Sequence, residues 1–498
     1  MVVFEIVIAL LLGGAILAAL ARRIAMPYPA LVAVAGAALA LFPRAPSIVL
    51  DPELALALFV APVLLDAAFD ASQRDLRTHW RTVISLALGA VVLTVLVVAV
   101  VAHALVPGLP WAAAIALGAI VAPPDAAAAT AVLKQLRPPN RLLVVLEGES
   151  LFNDASALLI YRFAVGASAT GFVSGWSFAG TLLAVGAGSF VLALVLSRII
   201  FVIIARIEDL ATAVIFQFCS TFAVWLLAER LHLSGILTTV IFAMMISRPA
   251  AQTISARMRV RSYAVWEVAV FVLNVLAFIL VGLQLRQIME RTAWTQYIGV
   301  AAAVCLAVIV ARILWVTVVH RDAALSGRAA YVVGWCGMRG TVTLAAALAL
   351  PAGFPYRDLI FFTSFVVVLV TLVVQGMTLR PLLQWLDVRD DGTVEREVQL
   401  ARVETLRAAL DAVQNCGGGE AADLLRRRYE LRLRRAEGKS PDDGSDGADA
   451  EVVHAAVEAE RKRLIELRDD GTIGDTAFQR VEEELDLKEL ELLEIVES

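Results

Sequence analysis

VVLEGESLFNDASALLIYRF, residues 144–163, is apolar enough to be a buried helix, yet it carries Glu147, Glu149, Asn153, Asp154 and Arg162. At about 100° per residue, Glu147, Ser150 and Asp154 share one face, while Glu149 and Asn153 share another turned well away from it. Two polar faces on one buried helix require two buried partners. If the helix spans a bilayer, an Asp near its centre costs about 2.5–3.5 kcal/mol on insertion scales, which points to transport or proton relay.

The rest of the chain supplies the bilayer. Of 498 residues, 60% are hydrophobic and the mean hydropathy is +0.79, whereas ordinary soluble domains are roughly 45–50% apolar. Charge is segregated as well. Residues 1–386 hold 17 Asp/Glu against 25 Lys/Arg, a net +8, and residues 387–498 hold 30 against 17, a net −13. A basic membrane body, 1–386, is therefore followed by an acidic soluble tail, 387–498.

Because a spanning helix needs about 20 largely apolar residues, candidate spans fall at 2–21, 27–43, 54–72, 82–106, 112–133, 142–168 and 178–204. They continue at 210–228, 231–247, 266–285, 297–319, 329–351 and 358–382, making thirteen. The first is expected to be a retained span rather than a cleaved leader, since no basic n-region precedes it. Of the Lys and Arg in the connecting loops, fifteen fall in one alternating set, among them Arg74, Arg77, Arg81 and Arg141, and five in the other. Basic loops stay in the cytoplasm, so the N-terminus is expected outside and the tail inside.

Two spans are interrupted at mid-depth. The fifth reads GAIVAPPDAAAATAV, 118–132, where Pro123 and Pro124 lack backbone donors and should break the helix just before Asp125. The twelfth reads VVGWCGMRGTVTLAAALAL, 332–350, with Gly334, Gly337 and Gly340 around Arg339. Irregular backbone at membrane depth survives only against protein or a water-filled cavity. Broken helices at corresponding positions of two halves point to an inverted-repeat secondary transporter, here spans 1–6 and 8–13.

GESLFND (148–154), PPDA (123–126), APVLLDAAF (61–69) and GMRG (337–340) together resemble the motifs of the electroneutral cation:proton antiporters, the group of NhaP-type and mammalian sodium/proton exchangers. The likeness runs through nearly all of residues 1–386. It implies that Asp154 alternately holds a monovalent cation and a proton, with Ser150 one turn earlier and a carbonyl near the fifth-span break completing an oxygen shell. It further implies that Asn153 occupies the first place of the Asn-Asp pair that marks electroneutral exchange, where electrogenic relatives have Asp. Glu149 would pair with Arg339 and brace the sixth span against the twelfth; Asp66 would line the ion path; Asp125 would balance the helix-end dipoles. A homodimer in a bacterial inner membrane is implied too, with spans 4–6 and 11–13 moving against spans 1–3 and 8–10. One departure stands out: the family commonly has Thr-Asp-Pro in the fifth span, whereas Pro124-Asp125-Ala126 offers no hydroxyl, leaving sodium, potassium and lithium open as substrates.

Other classes fit the residues less well. A proton-coupled symporter or anion carrier needs a roomy or cationic site where this chain has Asp154 and Asp125, and an ion channel has no need of a lone titratable ligand. Cys219, Cys305, Cys336 and Cys416 show no pairing or metal spacing, and no enzyme chemistry, cofactor or nucleic-acid partner is expected. Arg162, Arg198 and Arg312 are expected to snorkel or pair without a transport role. In the tail, helix-forming stretches around 395–414 and 420–438 precede the Gly/Asp-rich 438–450, then two further stretches, the last with Leu485, Leu487, Leu490, Leu492 and Leu493. These suit a regulatory or dimer-stabilising helical bundle.

Overall fold

The computed structural model describes residues 2–23, 27–42, 52–133, 136, 138–170, 175–291, 294–319, 327–388, 390, 392–415, 419–437, 458–467, 470, 472, 481, 482 and 485. Among these the regular structure is entirely helical. The chain divides into two compact units, Met1–Asp390 and Asp391–Ser498.

In the first unit, α1 (Val2–Arg23) and α2 (Tyr28–Ala40) precede α3 (Pro52–Ala55), which runs through a π-helical turn into α4 (Ala61–Asp70). The short α5 (Gln73–Thr78) leads to α6 (Trp80–Ile84), continued through a second π-turn, Ser85–Ala90, into α7 (Val91–Leu105). Then come α8 (Trp111–Val121), α9 (Ala126–Leu133), α10 (Asn140–Thr170), α11 (Gly175–Ile204), α12 (Leu210–Arg230) and α13 (Gly235–Thr253). The unit closes with α14 (Ala256–Arg291), α15 (Ile298–Val319), α16 (Gly327–Trp335), α17 (Thr341–Leu348) and α18 (Arg357–Val370), the last passing through a third π-turn, Thr371–Gln375, into α19 (Gly376–Leu386).

A helix lies over each stretch where a span is expected, and among the described residues six are long and apolar enough to cross a membrane: Trp80–Leu105, Leu183–Ile204, Leu210–Arg230, Met258–Leu280, Thr295–Val318 and Arg357–Leu386. Large side chains such as Leu12, Ile16, Ile215, Leu306 and Val318 point outward and stand exposed. In water that surface would be a liability; against lipid tails it is the expected solution. Since lipid is as apolar as leucine, helices gain little from hiding leucine from it and pack instead through small residues. The pairing of α2 with α14 shows this: a Cβ at Gly36 would lie 2.5 Å from the Ile279 carbonyl oxygen, and one at Gly282 would lie 2.3 Å from that of Ala33. Neither position has room for a side chain.

The two expected breaks are present. Helix α8 stops at Val121 and α9 starts at Ala126, with Pro123 and Pro124 between them; α16 stops at Trp335 and α17 starts at Thr341. The three π-turns among the described residues were not anticipated, because a π-turn needs only one residue more than the α-helical repeat; Pro62, just past the first of them, is its one nearby mark.

In the second unit, α20 (Thr393–Asn415) and α21 (Glu420–Ala436) occupy the first two expected helical stretches. They form an antiparallel hairpin in which Gln399, near the start of α20, donates from Nε2 to the carbonyl of Ala436 at the end of α21. Arg407 adds ion pairs to Glu404 at 2.8 Å and Glu437 at 2.6 Å, exposed enough that each adds little stability. The expected break at 438–450 and Leu487, Leu490, Leu492 and Leu493 lie outside the described residues.

Candidate functional site: the crossing of the broken helices

The proline break leaves the Asp125 amide with no helical acceptor, and the break of α16–α17 provides one: Asp125 N donates to the carbonyl oxygen of Met338 at 2.7 Å. This hydrogen bond is the crossing point. Beside it, a Cβ at Gly340 would fall 1.6 Å from Asp125 Oδ2, so the Asp125 carboxylate occupies the space over the N-terminal cap of α17. A carboxylate at that end of a helix dipole is favourable by typically ~0.3–1 kcal/mol. Arg339, between them in the same break, donates its backbone N–H to Thr371 Oγ1 at 3.0 Å, tying the break to the third π-turn.

Helix α10 passes the crossing with the side chains that the sequence singled out. Asn153 is fully buried and its Nδ2 donates to the carbonyl oxygen of Pro124 at 2.9 Å. Because that partner can only accept, the amide is oriented, and Asn153 Oδ1 is left buried with no hydrogen-bond donor among the described residues. Asp154, one residue on, is 6% exposed; both Asp125 and Arg339 act on it electrostatically. Ser150 lies one turn earlier on the Asp154 face and is partly buried.

The expected pairing of Glu149 with Arg339 is corrected. Glu149 is held by Arg312 of α15, with Nη1 to Oε1 at 2.5 Å and Nη2 to Oε2 at 2.9 Å, both residues being almost wholly buried. Arg312 Nε also donates to the Val333 carbonyl at 3.2 Å, near the end of α16. The guanidinium can reach because a Cβ at Gly337 would stand only 2.5 Å from Arg312 Cδ; glycine there leaves the passage open. A planar fork matched to a carboxylate is the geometry for which Arg is suited. Arg339 is equally buried, but its Nε and Nη1 have no hydrogen-bond partner among the described residues. It acts through its field on Glu149, Arg312 and Asp154.

Five charges therefore gather at the crossing: Asp125, Glu149, Asp154, Arg312 and Arg339. With all of them ionised the formal sum is −1. Asp66 is placed elsewhere. It lines a cavity of about 90 Å³ with Arg259, Tyr263, Gln217 and Trp266, whose described walls come from α4, α11, α12, α13 and α14. The sequence reading missed Arg312 as a member of the site; its one signal was a charge within an otherwise apolar span. Thr371 and Gln375 of the third π-turn were missed as well. Gln375 is fully buried with neither side-chain polar atom partnered among the described residues. Arg162, expected to snorkel or pair, meets Glu229 of α12 at 2.7 Å.

Two broken helices crossing inside an all-helical membrane body, with a buried carboxylate beside the crossing, define a secondary transporter. A family model described as sodium/hydrogen exchanger, transmembrane, matches residues 6–385. An uncharacterized Na(+)/H(+) exchanger of Mycobacterium tuberculosis is 30% identical, with 98% of this chain and 96% of that protein aligned. A sodium, potassium, lithium and rubidium/H(+) antiporter of Bacillus pumilus is 28% identical over 94% of this chain and 74% of its own length. Among solved structures, the sodium proton antiporter MjNhaP1 from Methanocaldococcus jannaschii shares the fold with a TM-score of 0.64 at 20% identity, covering 76% of this chain and 99% of that one. The chain belongs to the sodium/hydrogen exchanger family, and cation/proton antiport is the activity that this membership carries.

Proposed function

We propose that the protein exchanges one monovalent cation for one proton, without net charge movement, by alternating access at Asp154. The observation that carries this reading is the charge count at the crossing. Glu149 is neutralised by Arg312, Asp125 faces the α17 dipole and Arg339 acts on Asp154, so the crossing as a whole carries one unit of uncompensated negative charge, with Asp154 as the carboxylate that takes the load. A bound cation cancels it, and so does a proton. The two loaded forms thus have the same formal charge and the empty form does not, which favours crossing of the membrane in either loaded form and disfavours it when empty. Asn153, being neutral, leaves that count unchanged while it holds the Pro124 carbonyl. Ser150 and Asn153 Oδ1 are the neutral oxygens we assign to the cation, and Asp66 a place on its route.

Sodium is the family's cation; the name of the Bacillus pumilus relative makes potassium and lithium the alternatives to be tested. The arginine distribution favours an N-terminus outside and a cytoplasmic tail, in a homodimer of the bacterial cell membrane serving pH and cation homeostasis. The decisive measurement is cation-driven collapse of an imposed pH gradient in proteoliposomes, with sodium, lithium and potassium, at several clamped voltages. The exchange rate is expected to be independent of voltage, with Asp66→Asn raising the cation concentration needed for half-maximal rate. A rate that climbs with voltage would reject one-for-one exchange.

For the tail we propose regulation rather than chemistry, because its −13 balance complements basic loops of the body. Such an influence can shift access states only through differential affinity for them, and salt screens it over about 8–10 Å at physiological ionic strength. Deleting residues 393–498 is expected to leave exchange intact and to displace its pH–activity profile at low salt, the displacement shrinking at high salt. Superimposable profiles at both salt concentrations would reduce the tail to a solubilising appendage.

A further inference from the structure

Trp80, Ile84, Leu88 and Val92 recur at every fourth residue along α6, its π-turn and α7, and all four are exposed. They form one wall of a groove of about 560 Å³. Phe152, Ala155, Ser156 and Leu159 of α10 line its floor, and Leu237 and Met244 of α13 its far side. Its polar end is marked by Gln73, whose Nε2 donates to the Met244 carbonyl, and by Arg77.

Three features identify an occupant. The groove is concave and apolar along its length, so it is a poor route for an ion and a good bed for a hydrocarbon chain. From Trp80 to Val92 the helix rises about 18 Å at 1.5 Å per residue, close to the roughly 15 Å that one leaflet contributes to a ~30 Å hydrocarbon core. At the polar end, exposed Arg74, Arg77 and Arg81 outnumber Asp70 and Asp75, and the Arg81 guanidinium lies 5.6 Å from the centre of the Trp80 ring. Trp beside Arg is the pairing that suits the headgroup level of a bilayer.

We propose that this groove is a binding site for an anionic phospholipid of the adjoining leaflet, with one acyl chain lying between α7 and α13 on α10 and the phosphate held by Arg77 and Arg81. A soluble phosphate would satisfy the arginines and make no use of the apolar walls; a zwitterionic lipid would fill the walls and draw less from the arginines. Since the floor is the helix that bears Asp154, an occupied groove holds the spacing of α10 and α13 and stabilises the conformation described.

The test is thermal melting of the full chain in detergent with added phosphatidylglycerol, phosphatidylcholine of the same chains, or glycerol phosphate. Phosphatidylglycerol is expected to raise Tm by several degrees more than phosphatidylcholine, and glycerol phosphate to leave it unchanged. The doubly substituted Arg77→Gln/Arg81→Gln protein loses the phosphatidylglycerol advantage, whereas Arg259→Gln/Arg261→Gln, a basic pair away from the groove, keeps it. Ser156→Phe, which fills the floor, loses the response to both lipids. Equal stabilisation by the two lipids, an advantage that survives Arg77→Gln/Arg81→Gln, or an equal rise with glycerol phosphate would each overturn the proposal. Arg77 and Arg81 are exposed, so their double variant decides the matter even where Ser156→Phe does not fold.

Discussion

Asp154→Asn is expected to reduce cation-driven proton flux to the level of empty liposomes while the protein remains folded, inserted and monodisperse. The amide keeps the shape of the carboxylate but neither titrates nor carries the charge on which a cation would be held. It also brings the crossing to a formal charge of zero permanently, with Asp125, Glu149, Arg312 and Arg339 left to balance. A buried, uncompensated carboxylate is costly to keep, so Tm of the variant should be no lower than that of the parent. Flux in proteoliposomes and melting in detergent check the two halves separately. Residual sodium-dependent exchange in well-folded Asp154→Asn protein would move the transport carboxylate elsewhere.

The second large effect is on stability. Arg312→Ala removes the partner of a carboxylate that is 1% exposed, together with the hydrogen bond to the Val333 carbonyl. Breaking one side of a buried pair typically costs about 3–5 kcal/mol, because the surviving charge is stranded, whereas replacing both members with neutral groups of similar volume can be close to neutral. We therefore expect Arg312→Met alone to lower Tm strongly and Glu149→Gln with Arg312→Met to recover most of the loss. The same cycle on Glu149 and Arg339 should show a smaller coupling, since those two meet through the field rather than through hydrogen bonds. Additive losses for Glu149 and Arg312 would sink the pairing.

These two expectations differ in how far the sequence foretold them. Asp154 stood out because its cost is a property of the residue and its depth: a carboxylate at the middle of an apolar helix is expensive wherever that helix packs. The fifth-span break was legible for the same local reason, as Pro123 and Pro124 lack the N–H that a helix requires. Glycines around Arg339 marked the second break, though less sharply, since glycine permits a break without forcing one.

The partner of Glu149 was not legible. From the sequence, Arg339 and Arg312 are two arginines in two apolar spans, and nothing in residue order says which guanidinium reaches α10. That depends on how α15 lies against α16 and on the space left by Gly337, through which the Arg312 side chain passes. The role of the Asn153 amide as donor to Pro124 had the same origin, for it exists only because α10 runs beside the break. The Asp125 amide finds Met338 across more than two hundred residues of sequence. Asp66, which the family resemblance assigns to the ion path, lines a cavity walled by α4, α11, α12, α13 and α14, a neighbourhood that residue order does not give.

By itself, then, the sequence determined the features that single residues and short spacings dictate: an all-helical membrane body with an acidic tail, two breaks, and a buried carboxylate on the helix beside them. Each rests on an energy that local chemistry sets, through transfer of apolar side chains, a missing backbone donor or an unsolvated charge. Only the tertiary structure decided which of these groups meet, because pairing in a membrane body is chosen by the close approach of helices at small residues, and that approach is a property of surfaces brought together from distant parts of the chain.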